Sequence, residues 1–267
     1  MIEFRGKVVV ITGAGSGIGR ALAQRLAGEE ARLALSDIDP AALERTLASL
    51  PPEVEARGYP LDIFEREAVF AHAEQVRTDF GAVHMLVNNA GVSVVGTFEH
   101  LSIEEIEWQL GINLWGVIYA SKAFLPGMLA QREGCIVNIG SVFGFVSMPT
   151  QAAYSISKFG VRALSECLWA ELEGTGVEVV SVHPGGVRTN LSKLARRAAL
   201  ADDTEDRVSA QAERLLITRP ERVAAAIVDG VRRGRKRIVV GHLARALFWL
   251  PRLFPDRYHD VIQWFRG

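Results

Sequence analysis

Tyr154 and Lys158 stand four residues apart, a spacing that brings a phenol and an ammonium to the same face of a helix. A free phenol has a pKa of about 10 and is a poor base at neutral pH. Moving that pKa to about 7 takes about 4 kcal/mol of phenolate stabilisation, which an ammonium in a partly desolvated cleft helps to supply. The pair therefore suits proton transfer at an oxygen atom, although any amphipathic helix can carry a surface Tyr-x-x-x-Lys.

Ser141 gives this pair a context. It lies thirteen residues before Tyr154 and directly follows the apolar run 134–140, which predicts a buried strand. Strand ends are where open parallel sheets place their chemistry. A hydroxyl at this position can donate a hydrogen bond to a substrate oxygen beside the phenol.

A glycine-rich turn follows the first apolar run. Its residues are Gly13, Gly15, Ser16, Gly17, Ile18 and Gly19. Glycines let the backbone approach a pyrophosphate at a helix N-terminus. The spacing Gly-x-x-x-Gly-x-Gly differs from the common dinucleotide fingerprint, so the turn alone is a weak signal, and a tight turn without a ligand is the alternative.

Asp37 strengthens the dinucleotide interpretation because it closes the second predicted strand, eighteen residues after Gly19. A carboxylate there accepts hydrogen bonds from ribose hydroxyls and repels a 2′-phosphate. Neither Ser16 nor Ile38 is basic, so we expect NAD rather than NADP. The alternative is that Asp37 and Asp39 both cap the next helix, a role that suits Asp39 better because Pro40 follows it.

The elements that must position these residues alternate along the chain. Apolar runs lie at 7–12, 32–36, 56–61, 83–87, 134–140, 177–183 and 236–241, and helical patterns lie near 17–29, 40–49, 65–80, 102–131, 154–174 and 220–233. Continuous apolar strands indicate burial on both faces. We therefore predict one α/β domain with a doubly wound, Rossmann-type, seven-stranded parallel sheet and helices on both faces.

Composition excludes several classes of protein. The formal net charge is −1 and basic residues are interspersed with acidic ones, so we expect no nucleic-acid surface. Cys135 and Cys167 have no zinc-ligand or disulfide spacing and are predicted to be buried thiols. We assign no metal site and no metal-binding or catalytic histidine, although His183, at a strand end, can line the cleft. The N-terminal residues show no signal stretch, which predicts a cytoplasmic protein.

Taken together, the ordered motifs resemble those of the classical short-chain dehydrogenases/reductases over about residues 5–241. The resemblance rests on the 12–19 turn, Asp62, 88–91, Asn113, Ser141, Tyr154, Lys158 and 184–185. It implies that Tyr154 is the general acid/base, that Ser141 orients the substrate oxygen, and that Lys158 lowers the pKa of Tyr154 and binds the nicotinamide ribose. It further implies that Asn113 kinks its helix and holds a water that relays protons.

The same resemblance implies the remaining cofactor contacts. Asn89, Ala90 and Gly91 form the floor under the cofactor, and Asp62 and Ile63 contact the adenine. A loop after the sixth strand is expected to grip the nicotinamide carboxamide and to imply pro-S hydride transfer; it contains Pro184, Gly185, Val187 and Thr189. One departure is Gly140, where family members often carry serine.

The predicted substrate pocket is mostly apolar, which favours a small hydrophobic alcohol or ketone. Besides Ser141 and Tyr154 its residues are Phe143, Val146, Gln151, Gly186 and Leu191. Charged residues 188–219 are predicted to form a mobile lid with helical pieces, within the domain 1–241. We expect a homodimer or homotetramer, built through the helices that hold Asn113 and Tyr154.

Residues 242–267 form an aromatic and basic extension. Such a stretch can lie in a membrane interface, cover the pocket mouth or pack on a partner subunit. The leading function is NAD-dependent interconversion of a secondary alcohol and a ketone. Alternatives are an NADP-dependent carbonyl reductase, a catalytically silent NAD-binding regulatory protein, or an epimerase or dehydratase, for which the stretch after Pro184 is short.

Overall fold

The apolar runs form a seven-stranded parallel sheet in this computed structural model, which describes residues 3–264. Positions 1–2 and 265–267, which belong to the predicted segments 1–241 and 242–267, lie outside the described residues, as do the side chains at 204, 209, 211, 212, 263 and 264. The strands are β1 (Val8–Thr12), β2 (Arg32–Asp37), β3 (Ala56–Pro60), β4 (Met85–Asn88), β5 (Val94–Val95), β6 (Gly134–Ile139), β7 (Val177–Gly185), β8 (Arg196–Arg197) and β9 (Arg237–Gly241).

The strand order of the main sheet is β3-β2-β1-β4-β6-β7-β9. β4 is the central strand and β1 lies beside it, with Val10 of β1 opposite Ala34 of β2 on one side and Leu86 of β4 on the other. The order therefore reverses between β1 and β4, and the crevice at the carboxyl ends of these two strands is where such a sheet binds its ligand. The predicted doubly wound fold is confirmed.

Helices cover both faces of the sheet. They are α1 (Gly17–Ala27), α2 (Pro40–Leu47), α3 (Arg66–Phe80), α4 (Ile103–Leu110), α5 (Gly116–Gln131), α6 (Ala152–Glu171), α7 (Asp203–Glu213), α8 (Pro220–Arg232), α9 (Ala244–Leu253) and α10 (Tyr258–Trp264). One buried cluster joins the sheet to α1 and α8 through side chains such as Leu22 and Ile227. A second cluster joins the opposite face to α3 and α5 through Val76 and Phe124.

Three features depart from the predicted elements. The predicted helix 102–131 is two helices, α4 and α5, separated by a π-helical turn at Gly111–Trp115. A single extra residue in a turn leaves backbone groups unpaired, and such turns are frequent at functional sites. The short strands β5 and β8 pair with each other outside the main sheet. The segment 188–219, predicted as a lid with helical pieces, contains the helix α7 and also the strand β8, which was not predicted.

The two cysteines differ in environment. Cys135 is buried in β6, as predicted, whereas Cys167 is exposed on α6, so the prediction that it is buried is wrong. Cys167 lies on the outer face of α6, the side of the helix that also exposes Ile156 and Phe159. Among the described helices, none combines the length and the apolar character that a membrane crossing requires.

Candidate active site

The glycine-rich turn joins β1 to the N-terminus of α1. Ser16 is the N-cap with extended backbone angles, its side chain makes no capping hydrogen bond, and the first turn of α1 carries no acidic residue. The amide groups of this turn are thus left for an anion, as a phosphate-binding helix start requires. The residues present fit the pyrophosphate of a dinucleotide.

Close packing explains two of the glycines. A Cβ on Gly19 would lie 2.2 Å from the carbonyl oxygen of Gly13, and a Cβ on Gly13, whose φ is +65°, would lie 2.8 Å from Cα of Ala90. The side-chain amide of Asn89 donates to the carbonyls of Thr12 (2.9 Å) and Gly13 (3.0 Å). Asn89 therefore ties the ends of β1 and β4 together beneath the turn.

Asp37 lies at the end of β2 and faces the same turn. Its Oδ2 accepts a hydrogen bond from the Gly15 amide at 2.7 Å, and its Oδ1 accepts one from the Asp39 amide at 3.0 Å. Asp39 caps α2 by accepting from the Ala42 amide at 3.1 Å, with Pro40 in the first turn. The capping role therefore belongs to Asp39, and Asp37 holds the glycine turn.

The other residues expected around the adenosine lie at the ends of β2, β3 and β4. Asp62 is half-buried and accepts from the Phe64 amide (2.9 Å), whereas Ile63 is buried. Ile38 is 67% exposed, so no side chain screens the space beside Asp37 at this position. Gly91 is exposed at the same edge of the sheet.

Asn113 lies in the π-helical turn and is fully buried. Its Oδ1 accepts from the Val92 amide (2.8 Å), while its Nδ2 donates to the Val92 carbonyl (2.9 Å) and lies 3.4 Å from the Ser157 hydroxyl. These contacts lock the segment after β4 onto the turn. They account for the interrupted helix, and the water relay stays a prediction.

Ser141, Tyr154 and Lys158 come together after β6. Ser141 begins a 3-10 turn and accepts from the Phe143 amide at 3.1 Å. Tyr154 lies near the start of α6, and the Nζ of Lys158 lies 5.5 Å from its ring centroid. Lys158 is buried and donates to the carbonyl of Ile139 at 3.0 Å. The i,i+4 pair predicted from the sequence thus faces the end of β6.

The pKa values differ in direction from what the sequence led us to expect. Burial raises the pKa of Tyr154 to about 12, and a hydrogen bond with Ser141 opposes this rise. Burial also lowers the pKa of Lys158 to about 8. Removal from water disfavours both charged forms, and within the protein alone it outweighs the attraction between them. Tyr154 is therefore a neutral phenol at pH 7, the form that donates a proton.

The loop after β7 approaches the glycine turn. A Cβ on Gly17 would lie 3.1 Å from the methyl carbon of Thr189, and Thr189 accepts from the Leu191 amide (3.3 Å). Pro184 and Gly185 are the last residues of β7, and Val187 pairs with Thr218. The structure thus brings the predicted carboxamide loop and the predicted phosphate loop to one crevice.

The residues predicted to contact the substrate differ in how much of their surface is accessible. Phe143 is half-buried and meets the ring of Tyr154 edge to face, with 5.9 Å between centroids. Gln151, Gly186 and Leu191 are also half-buried, so each retains some accessible surface. Val146 is completely buried, so a contact between it and a substrate stays a prediction.

The lid segment is attached by a buried carboxylate. Glu205 of α7 is 1% exposed, and it accepts from the amides of Thr97 and Asp202 at 2.9 Å each and contacts Nδ1 of His100 at 2.8 Å. These donors hold the pKa of Glu205 well below its usual range, with the Thr97 amide as the largest cause. His100, Asp202 and Glu205 are residue types that can ligate a metal ion. Because the Glu205 oxygens already accept hydrogen bonds, we interpret this cluster as the contact that attaches α7.

Comparison with known proteins decides the family. Residues 7–199 match the model described as short chain dehydrogenase. The chain belongs to this family. It is 42% identical to a Mycobacterium tuberculosis protein provisionally named oxidoreductase SadH, across 98% of this chain and 96% of the relative. This chain is therefore an oxidoreductase of the short-chain dehydrogenase/reductase family, with a Rossmann-type nucleotide-binding fold.

Solved structures of this family include both cofactor types. An enzyme from Burkholderia phymatum in complex with NAD has a TM-score of 0.86 and 32% identity, covering 100% of this chain and 98% of its own. An alcohol dehydrogenase from Thermococcus sibiricus complexed with 5-hydroxy-NADP has a TM-score of 0.76 and 25% identity, covering 90% and 98%. The two likenesses thus extend over 90% or more of this chain.

Sequence reasoning missed several residues that shape the site. Arg20 donates to the Gly15 carbonyl and, at 3.0 Å, to the buried hydroxyl of Thr46. Thr12 accepts from the amides of Asn89 (3.0 Å) and Ala90 (3.1 Å). Except for the contact of Arg20 with Gly15, these hydrogen bonds join residues far apart in the chain, so no local sequence pattern predicts them.

Proposed function

We propose that this dehydrogenase interconverts a secondary alcohol and a ketone with NAD(H), and that Tyr154 is the general acid/base. The observation that carries the proposal is the meeting of Tyr154, Ser141 and buried Lys158 at the end of β6, beside the crevice between β1 and β4. Asn113 holds the segment after β4 in place through two hydrogen bonds with the backbone of Val92.

Tyr154 and Ser141 share the proton chemistry in this proposal. The neutral phenol of Tyr154 donates its proton to the carbonyl oxygen during ketone reduction, and Ser141 supports the same oxygen with its hydroxyl. The nicotinamide ring supplies or takes up the hydride and, when oxidised, adds a positive charge that stabilises the phenolate. In alcohol oxidation that charge and Lys158 act against the desolvation that otherwise raises the pKa of Tyr154.

Asp37 favours NAD as the cofactor. Its Oδ2 is directed to the glycine turn through the Gly15 amide, so the carboxylate lies beside the expected ribose. A 2′-phosphate at this place would meet a negative charge, and exposed Ile38 offers no compensating cation. An NADP-dependent carbonyl reductase would need a basic group here.

A lipophilic substrate fits the aromatic surroundings of Tyr154. Phe143 lies edge to face with Tyr154, and buried Phe145 packs against Phe248 of α9 with 4.9 Å between centroids. The hydroxyl of Tyr258 accepts from the Ser147 amide at 3.4 Å. The extension thus covers the 143–148 segment, and closing the pocket mouth suits these contacts better than membrane binding does.

One spectrophotometric experiment tests this function. The absorbance of NADH is followed with wild-type enzyme across a panel of secondary alcohols and ketones of increasing apolar length. We expect turnover that improves with chain length and exceeds that with NADPH. No turnover on the panel, together with tight NAD binding by calorimetry, would support the regulatory alternative instead.

The helices around the site also suggest self-association. The outer sides of the π-helical turn and α6 expose Trp115 (51%), Ile156 (49%) and Phe159 (38%), large apolar side chains on the helices expected to form the oligomer. We therefore expect a dimer or tetramer by sedimentation velocity. Replacing Trp115 and Phe159 with serine should shift the enzyme toward monomer, and a wild-type monomer at micromolar concentration would contradict this assembly.

A further inference from the structure

His183 occupies a buried position directly behind the candidate catalytic serine. It lies near the end of β7 and is completely buried. Its Nδ1 is 3.0 Å from the carbonyl oxygen of Ser141, and its Nε2 is 2.8 Å from the hydroxyl of Ser181. Because a carbonyl oxygen only accepts, Nδ1 must carry the hydrogen. In the neutral ring Nε2 then accepts from the hydroxyl of Ser181, so the neutral imidazole has a single tautomer here.

The imidazole also has two close neighbours. A Cβ on Gly140 would lie 3.3 Å from Nδ1 of His183 and 3.0 Å from the Val182 carbonyl oxygen, so glycine at this position avoids a tight contact with the ring. The ring of Phe145 lies 4.1 Å from that of His183, measured between centroids. The departure from serine at position 140 and the histidine at 183 are thus complementary parts of one packing arrangement.

Two side chains hold the backbone that carries Ser141. Lys158 donates to the carbonyl of Ile139 at 3.0 Å, and His183 donates to the carbonyl of Ser141 at 3.0 Å. The hydroxyl of Ser141 is further held by the Phe143 amide at 3.1 Å. The Ser141 carbonyl also accepts from the Gly144 amide at 3.0 Å, so the peptide plane after Ser141 is held by two donors, one from its own turn and one from the His183 side chain.

We propose that His183 is a positioning residue that sets the Ser141 hydroxyl against Tyr154 through the Ser141 carbonyl. Burial lowers the pKa of His183 to about 4, so the imidazole stays neutral at physiological pH and keeps this hydrogen bond. It carries no proton to the substrate. The inference rests on the proposed function, because the placement of Ser141 affects turnover only if its hydroxyl supports the substrate oxygen.

A double-mutant cycle with Ser141 tests this role. We expect His183→Leu to lower kcat at least about tenfold while the Kd for NAD changes less than about twofold. In a Ser141→Ala background the same substitution should lower kcat by less than about twofold, because the hydroxyl that it misplaces is already absent. Equal factors in both backgrounds would assign His183 a merely structural role and overturn the proposal.

Two amide variants keep the test decisive if the leucine variant does not fold or if Ser141→Ala is too slow to measure. The side-chain nitrogen of His183→Asn can replace Nδ1 and donate to Ser141, whereas that of His183→Gln reaches the place of Nε2. We expect asparagine to keep kcat within about threefold of wild type and glutamine to lose at least about tenfold. Equal kcat values for the two variants would contradict the proposal.

His72 provides a matched control. It is also buried, burial lowers its pKa to about 4, and its two ring nitrogens make no hydrogen bonds among the described residues. It packs between Tyr59 and Phe124, away from Ser141. His72→Leu should leave kcat unchanged. If Ser141→Ala itself retained the wild-type kcat, the proposed function would fail. That outcome differs from an equal loss of kcat by His183→Leu in both backgrounds, which would overturn only the role of His183.

Discussion

The crevice between β1 and β4 and the segment 188–219 are held in different ways. In the crevice, polar side chains satisfy backbone groups of neighbouring turns, as Asn89 does for Thr12 and Gly13 and as Asp37 does for Gly15. In the segment 188–219 the buried described residues are Ala198, which follows the two-residue strand β8, Glu205 of α7 and Thr218; the other described residues are exposed or half-buried. The first region is fixed at many points, the second at few.

This difference suggests that the crevice is preformed, whereas the segment 188–219 can change its conformation. Satisfied buried networks rigidify a site, because each lost partner leaves a desolvated polar group. Few attachments leave a segment with low local stability, as expected for a lid that orders over a substrate. We infer that cofactor binding and proton transfer depend on the crevice, while substrate preference depends on the segment 188–219.

Lys158→Met should give the largest effect on the crevice side. We expect kcat to fall at least about 100-fold, because the ammonium that supports Tyr154 is removed. The free energy of unfolding at pH 7 should rise by about 2 kcal/mol, since burial of the charge costs more than the hydrogen bond to Ile139 contributes. Exposed Lys122, changed to methionine, is the control and should alter neither quantity.

The difference in stability between the wild type and Lys158→Met should depend on pH. The pKa of Lys158 is about 8 in the folded protein, below its ordinary value of 10.5. The unfolded chain therefore binds more protons between these values, and wild-type stability rises with pH across that window. The advantage of Lys158→Met should be complete below pH 8 and decline toward 10.5. Urea denaturation of both proteins measures it, and an advantage independent of pH would contradict the burial of a charge.

Asp37→Asn should change cofactor preference without loosening the turn. Asparagine keeps an oxygen that accepts from the Gly15 amide, and it loses the negative charge together with the second acceptor, which the Asp39 amide uses. We expect the ratio of kcat/KM with NADP to that with NAD to rise at least about tenfold, equal to about 1.4 kcal/mol. Asp39→Asn, which preserves the cap of α2, should leave the ratio unchanged. A wild-type preference for NADP would falsify the ribose assignment.

Glu205→Gln should give the smallest effect, confined to the substrate side. Glutamine keeps one of the two carboxylate oxygens, so either Thr97 and His100 or the Asp202 amide loses this acceptor; we expect KM for the substrate to rise about threefold with kcat nearly unchanged. The exposed Glu213 of the same helix, changed to glutamine, is the control. A large loss of kcat in Glu205→Gln would show that the lid and the crevice are not separable.

His100 adds a pH dependence to the lid contact. Its hydrogen bond with Glu205 raises the pKa of His100, so the charged pair is present at low pH and is lost as the pH rises through that raised value. The wild-type KM should therefore rise toward alkaline pH more than that of His100→Gln. Parallel KM profiles for the two proteins would remove this contact from substrate binding.

The sequence predicted the crevice well because its residues answer local demands. Gly19 closely approaches the Gly13 carbonyl within one turn, Asp37 ends a strand, and Tyr154 and Lys158 lie one helical turn apart. Buried apolar strands likewise predicted the parallel sheet. These features depend on spacing that a single segment contains.

Other features depended on contacts between distant segments. Glu205 meets Thr97 across 108 positions, and His183 meets Ser141 across 42. The pKa of Tyr154 rises because of burial, a property that the spacing to Lys158 does not report. The break at Gly111–Trp115 was implied only by the family resemblance, because its cause is the hydrogen bonding of Asn113 with Val92.

Tyr154→Phe is the most direct test of the central claim. The substitution removes the phenolic hydroxyl while keeping the ring that Phe143 contacts. We predict that kcat falls about 1,000-fold, in the range of general acid/base catalysis, while the Kd for NADH, measured by fluorescence titration, changes less than about twofold. A variant that keeps more than about a tenth of the wild-type kcat would contradict the proton role of Tyr154.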